Sequence, residues 1–237
     1  MALHDSSRKF DADRAAEYAI QSRIALAGYD ACHELAACLL SASLGSGARR
    51  ILNVGAGGTG QEILTAAALE PHWSFVALDP APAMLDLAMA NIRKVGLEAR
   101  VEAFSEGVDE LAQQRPFDGA SLIGVLHHLP SQDEKKAVLG SIAKRLKPGA
   151  PFVVACNRSA YETKPLFLEA WAARWRMAGA SSGEVEAKLA KIRHGAVPPE
   201  SEAAVEAMLS EAGFARPERF FSSLFWSAWI CFRQIPA

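Results

Sequence analysis

From Arg50 to Cys156 the chain alternates short apolar runs with longer amphipathic stretches. Apolar runs of this length, bounded by glycine, proline and polar residues, read as strands buried on both faces, and the stretches between them carry helical spacing. The pattern predicts strands over 50–54, 73–78, 99–104, 117–125 and 150–156, with helices near 60–69, 81–94, 107–114 and 131–146. Such alternation implies parallel strands joined by crossover helices. Ahead of this region, 10–44 has helical periodicity. Behind it, 162–212 is mostly helical, broken at Gly179, at Ser181-Ser182-Gly183 and at Val197-Pro198-Pro199. The β-rich runs 218–222 and 225–232 stand too close together for a helical crossover, so they should pair antiparallel.

Composition narrows the class. A chain of 237 residues that is 50% hydrophobic and 22% charged, with a net charge of −2, can bury a full core and is expected to form one domain. Charged residues such as Arg8, Lys9, Asp11 and Arg14 interrupt the start of the chain, so neither a secretory signal nor a membrane span is expected, and the setting should be cytoplasmic. The four cysteines form no C-x-x-C and sit in apolar runs, which suits reduced, buried thiols and no metal site. Lysine and arginine are scattered among acids, with no basic run to track a phosphate backbone. This disfavours nucleic acid and favours a small-molecule substrate.

The strongest local signal is Ile51-Leu-Asn53-Val-Gly55-Ala56-Gly57-Gly58-Thr59-Gly60-Gln-Glu62, a strand entering a glycine-rich turn and then a helix. Glycines let the backbone approach a ligand, and the helix start offers free N–H groups to a nucleotide or an amino-acid carboxylate. Asp79 ends the second strand about 20 residues later, where a carboxylate can accept from both hydroxyls of a ribose. Its plainer role is to cap the helix starting near Ala81. Met84 could lie over an adenine face, and Ser105 or Glu106, at the end of the third strand, could meet the adenine amino group. The fourth strand runs out in Val125-Leu126-His127-His128. Neighbouring strand residues face opposite ways, so at most one histidine should meet a ligand, and His127 is the candidate general base.

In this order, the Gly55 to Gly60 loop, Asp79, the Leu-His-His-Leu strand end and the Leu-Lys-Pro-Gly turn before the fifth strand resemble the class I S-adenosylmethionine-dependent methyltransferases. The resemblance implies a Rossmann-like α/β fold with a seven-stranded sheet and an antiparallel last strand. It divides the single domain into a helical cap (10–45), a cofactor-binding core (50–156), a helical insertion over the substrate (157–212) and a terminal hairpin (213–237). S-adenosylmethionine is the implied cofactor, held by Asn53, Gly55, Ala56, Gly57, Gly60, Asp79, Pro80, Met84, Ser105, Glu106 and Val125. The segment from Phe10-Asp11 through Tyr18 and Arg23 is similar to the cap of small-molecule methyltransferases and carboxy-S-adenosylmethionine synthases. That similarity places Tyr18 over the sulfonium and Arg23 on the methionine carboxylate. The family usually has an acid where this chain has Asn53, and the loop is one residue longer than the common form.

Under this reading, in-line methyl transfer to a small metabolite is served by His127, Tyr18 and Tyr161, with Asn157, Arg158, Trp171 and Trp175 toward the substrate. Three other readings use the same residues: aminocarboxypropyl transfer or cyclisation releasing methylthioadenosine, carboxylation of the sulfonium, and a noncatalytic nucleotide-binding module. In the last, Trp226 and Trp229 on the terminal edge could face a partner, and a homodimer is compatible with such an edge.

Overall fold

The computed structural model describes residues 12–112 and 115–235, with backbone alone for 12–16. Phe10 and Asp11, and the end of the segment 107–114, lie outside the described residues.

Two helices, α1 (Ala12–Ala25) and α2 (Tyr29–Leu44), precede the sheet, separated at Gly28 in the left-handed region. The core then runs β1 (Arg49–Val54), α3 (Gln61–Leu69), β2 (Trp73–Leu78), α4 (Pro82–Lys94), β3 (Val101–Phe104), β4 (Gly119–Ile123), α5 (Gln132–Arg145) and β5 (Pro151–Asn157). Next come α6 (Pro165–Met177), α7 (Ser182–Gly195) and α8 (Glu202–Glu211), and the hairpin β6 (Phe214–Ser223) and β7 (Trp226–Arg233) closes the fold.

The seven strands stand in the order β3-β2-β1-β4-β5-β7-β6. β1 to β5 are parallel, β7 is antiparallel to β5, and β6 is antiparallel to β7. β6 therefore runs with β1 to β5, and β7 alone is reversed, which is the Rossmann-like sheet with an antiparallel last strand that the sequence implies. Strand alternation feeds two cores. Ile51, Phe75 and Ala77 face the side covered by α2, α3, α4 and α6, while Leu52, Val54, Val76 and Leu78 face α5 and α8. The chain leaves β1 in one direction across the sheet and β4 in the other, so the carboxyl ends of these two neighbours part and open a crevice.

Three expectations are corrected. Residues 107–112 form turns rather than a helix, and Glu110 instead accepts from the Gly107 N–H. The fourth strand stops at Ile123, because Gly124 turns with a φ of 84° and the chain enters a 3₁₀ turn over Leu126–His128. The stretch after β5 is three helices parted near the breaks that the sequence predicts, two of them started by serine caps, Ser181 in a capping box with Glu184 and Ser201 accepting from Ala204 N–H. All four cysteines are free, and Cys38 is exposed where a buried thiol is expected. Among the described residues no helix is long and apolar enough to cross a membrane, and no cluster of metal-binding side chains occurs.

Candidate functional site

The glycine loop opens where β1 ends. Gly55 N–H and Ala56 N–H both donate to the Leu78 carbonyl, which ties the loop to the tip of β2. Side chains are excluded on steric grounds at Gly55 and Gly57. A Cβ on Gly55 would fall 2.1 Å from Val125 Cγ2, and one on Gly57 would fall 2.3 Å from Asp79 Oδ2 and 2.6 Å from Met84 Cβ. The loop therefore lies flat between the tips of β2 and β4.

Asp79 is the hub of this end. Its Oδ2 accepts from Gly57 N–H at 2.9 Å and its Oδ1 from Ala81 N–H at 2.9 Å, so the carboxylate braces the glycine loop and starts α4. Burial pushes its pKa up to about 6, against the opposing pull of these two N–H bonds. Asp79, Pro80, Met84, Glu106, Val125 and Leu129 line a narrow slot of about 100 Å³.

Beside it lies a larger cavity of about 470 Å³. The two share Tyr18, Gly55, Gly57, Ile123, Gly124 and His128 in their walls. Tyr18 reaches this junction from α1, packed so closely that a Cβ on Gly58 would sit 2.5 Å from its ring. The far wall is aromatic: Tyr161, Trp171, Trp175 and Trp226 all line the larger cavity. Trp171 Nε1 donates to the Ala25 carbonyl at 2.8 Å and Trp175 Nε1 to Gln21 Oε1 at 3.3 Å, so α6 is pinned to the end of α1. These tryptophans are thus core and wall at once.

Both His127 and His128 line the larger cavity, contrary to the strand rule, because a 3₁₀ turn rather than a strand carries them and sets their rings 4.3 Å apart. His127 Nδ1 accepts from the Asn157 N–H at 3.4 Å. In the neutral ring this leaves the proton on Nε2. Burial, with the nearby charges of His128 and Lys135, holds its pKa well below the usual range. Lys135, itself fully buried, fixes the turn by donating to the Leu129 carbonyl at 2.6 Å. Asn157 Nδ2 donates to the Tyr161 hydroxyl at 2.8 Å, which leaves the phenol proton for another acceptor.

Several sequence candidates stand outside both cavities. Asn53 is buried in the sheet and donates to Ser121 Oγ at 2.8 Å. Ala56 is fully buried, and Gly60 serves as the left-handed cap of α3. Ser105 is exposed at the edge strand. Arg23 pairs with Asp30 at 2.7 Å and lies over the Tyr29 ring. Arg158 is spent on Glu202 and on the carbonyls of Leu224 and Trp226, which makes it a clamp between α8 and the hairpin.

The structure adds residues not singled out from sequence. Tyr29, His33, Thr59 and Glu62 line the larger cavity. The Tyr29 hydroxyl and Thr59 Oγ1 are 2.7 Å apart, and His33 Nδ1 bonds the Tyr29 carbonyl at 2.8 Å. Burial pushes the Glu62 carboxyl up to about 7, with the Asp79 charge adding, and lowers His33 to about 4. Two signals were available in the sequence: Tyr29 and His33 stand at i, i+4 on one helix, and Glu62 stands in the first turn of the helix after the glycine loop, two residues past Gly60.

Residues 52–152 match the family model described as a methyltransferase domain. The strand order, with β7 alone reversed between β5 and β6, agrees with that match. The matched stretch, somewhat less than half of the chain, is similar to a methyltransferase domain. The fold of this chain is shared with human N-acetylserotonin methyltransferase, solved in complex with S-adenosylmethionine, at 16% identity and a TM-score of 0.64 over 95% of this chain and 57% of that one. It is also shared with an S-adenosylmethionine-dependent methyltransferase from Methanosarcina mazei, at 16% identity and 0.61 over 84% and 98%. An O-methyltransferase family protein from Burkholderia thailandensis aligns at 19% identity and 0.60 over 90% and 62%. At these identities the likeness is one of fold. The chain spans little more than half the length of several of the structures it resembles. Comparison with curated proteins gives no match.

Proposed function

We propose that the protein is an S-adenosylmethionine-dependent methyltransferase acting on a small-molecule acceptor. The observation that carries this reading is the pair of joined cavities at the carboxyl ends of the strands: a narrow slot holding Asp79 that meets, at Tyr18, a wider aromatic chamber. The residues present fit a sulfonium nucleoside. The slot combines apolar walls from Met84, Val108, Val125 and Leu129 with acids at Asp79 and Glu106, which suits a purine and a diol. S-adenosylmethionine supplies an activated methyl group on a sulfonium, so the chain's task is alignment and exclusion of water.

In this reading Asp79 accepts from the ribose hydroxyls while continuing to brace Gly57. Glu106 faces the base. Tyr18 lies at the junction, where its ring can sit against a positively charged sulfur. The acceptor occupies the chamber between Tyr161, Trp171, Trp175 and Trp226. His127, with its proton on Nε2, and Tyr161, with its phenol proton free, hold the acceptor by donation. Asn157 offers its amide oxygen, a buried acceptor without a partner.

The test is incubation of the purified protein with S-adenosylmethionine alone and with pools of aromatic small molecules, followed by mass identification of the nucleoside product. S-adenosylhomocysteine that appears only with an acceptor supports the proposal. Methylthioadenosine formed instead, or no calorimetric uptake of S-adenosylmethionine or S-adenosylhomocysteine, overturns it.

A further inference from the structure

Glu62 is the one acid deep in the larger cavity whose carboxylate has no cationic partner among the described lysines and arginines. Its side chain is 11% exposed, and its only ion-pair contact is His33 Nε2, 3.9 Å from Oε2. That distance is too long for a hydrogen bond. The ring next to it is oriented. His33 Nδ1 donates to the Tyr29 carbonyl at 2.8 Å, so in the neutral ring the Nε2 lone pair is turned toward Glu62. With the carboxyl ionised, two acceptors therefore face each other across a gap with no donor between them, while the carboxylate also accepts from its own backbone N–H.

The surroundings hold this arrangement in place. Tyr29 is fixed through its hydroxyl to Thr59 Oγ1, and Thr59 also accepts from Gln61 N–H at 3.3 Å. Arg23 is committed to Asp30, Gln61 and the Ala19 carbonyl. Lys188, on the wall of the same cavity, donates to Gln21 Oε1 at 3.0 Å. Burying a carboxylate without a counter-charge is costly, and the cost is recovered when a cation with several N–H donors arrives. An ammonium group carries three donors and no acceptor, which complements a carboxylate oxygen and an imidazole lone pair 3.9 Å apart.

We propose that Glu62 and His33 form a subsite for an ammonium group in the wall of the larger cavity. The group can come from the amino-acid part of the cofactor or from an amine-bearing acceptor, and the first source rests on the function proposed above. An acid at position 62 then does work that Asn53, buried in the sheet and bonded to Ser121, does not do.

The experiment measures binding by calorimetry to the wild type and to Glu62→Gln. The first arm compares S-adenosylhomocysteine with methylthioadenosine, which lacks the amino acid. The second compares 2-phenylethylamine with 2-phenylethanol, with and without S-adenosylhomocysteine. Loss of a charge-assisted hydrogen bond predicts a drop of roughly tenfold or more for the ligand that supplies the ammonium. Weakened S-adenosylhomocysteine with unchanged methylthioadenosine supports the subsite and names the cofactor as source. Unchanged S-adenosylhomocysteine with loss of a wild-type preference for the amine over the alcohol supports it and names the acceptor. Equal affinities of wild type and variant in both arms overturn the proposal. Wild-type protein that takes up no S-adenosyl compound defeats the proposed function, and the amine arm then judges the subsite alone. Should Glu62→Gln not fold, His33→Phe removes the second acceptor and is expected to shift the same ligand in the same direction.

Discussion

Asp79 is a structural brace that the proposed function also makes a binding group. Its carboxylate accepts from Gly57 and Ala81, so Asp79→Asn, which keeps one oxygen, should weaken S-adenosylhomocysteine by roughly tenfold in calorimetry through loss of a charged acceptor. Gly57→Ala drives a methyl to within 2.3 Å of that carboxylate, and overpacking of this kind should cost about 1–3 kcal/mol in denaturant melts as well as abolish uptake. Glu62 gives a pH signature. Burial raises it from 4.5 to about 7, so between those values the native state holds a proton that the unfolded chain has released, and stability falls as pH rises. The full effect is on the order of 3 kcal/mol. His33 acts oppositely, because lowering from 6.5 to about 4 makes stability rise with pH across that window. The contribution of Glu62 is therefore read as a difference: the melting temperature of Glu62→Gln minus that of wild type should grow from about pH 4.5 to pH 7 and then level off. A flat difference would refute the burial of an ionisable carboxyl at this place.

At the scale of elements, α6 is held to α1 by few but directional contacts. Trp171 Nε1 bonds the Ala25 carbonyl, and Arg174 bonds the carbonyls of Ile24 and Arg23. Trp171→Ala should lose about 3–5 kcal/mol of stability by chemical denaturation, whereas Trp171→Phe keeps most of the packing and should lose only about 1 kcal/mol with the hydrogen bond. The same elements show where periodicity stops being informative. The strands of the core were legible because each is a short apolar run buried on both faces, as Phe152, Val153 and Val154 are. The end of β4 was not. Gly124 at positive φ and the 3₁₀ turn after it replaced the strand alternation, and that is why both His127 and His128 reach the cavity. Segment 107–112 carries a weak helical pattern that a local bond from Gly107 to Glu110 overrides.

For the whole molecule, the site is made by segments far apart in the chain: α1 and α2, the strand tips, α6 and α7, and the terminal hairpin. A ligand bridging slot and chamber should therefore slow hydrogen exchange in 12–25 and 182–195 as well as at the glycine loop, measured with and without S-adenosylhomocysteine. Protection confined to the loop would show that the helices do not close on the ligand. What the amino-acid order determined by itself is local chemistry: strand and helix identity from hydrophobic period, the glycine turn, and the acid at the tip of the second strand. Asp79 could be named in advance because it lies at a strand end that any parallel sheet of this kind directs to its crevice. Long-range packing decided the rest. Arg158 and Arg23 look free in the sequence, yet each is committed to partners that only the fold brings near. Glu62 and His33 meet because α2 crosses the start of α3, and an interaction of that kind depends on helix docking, which no local pattern encodes.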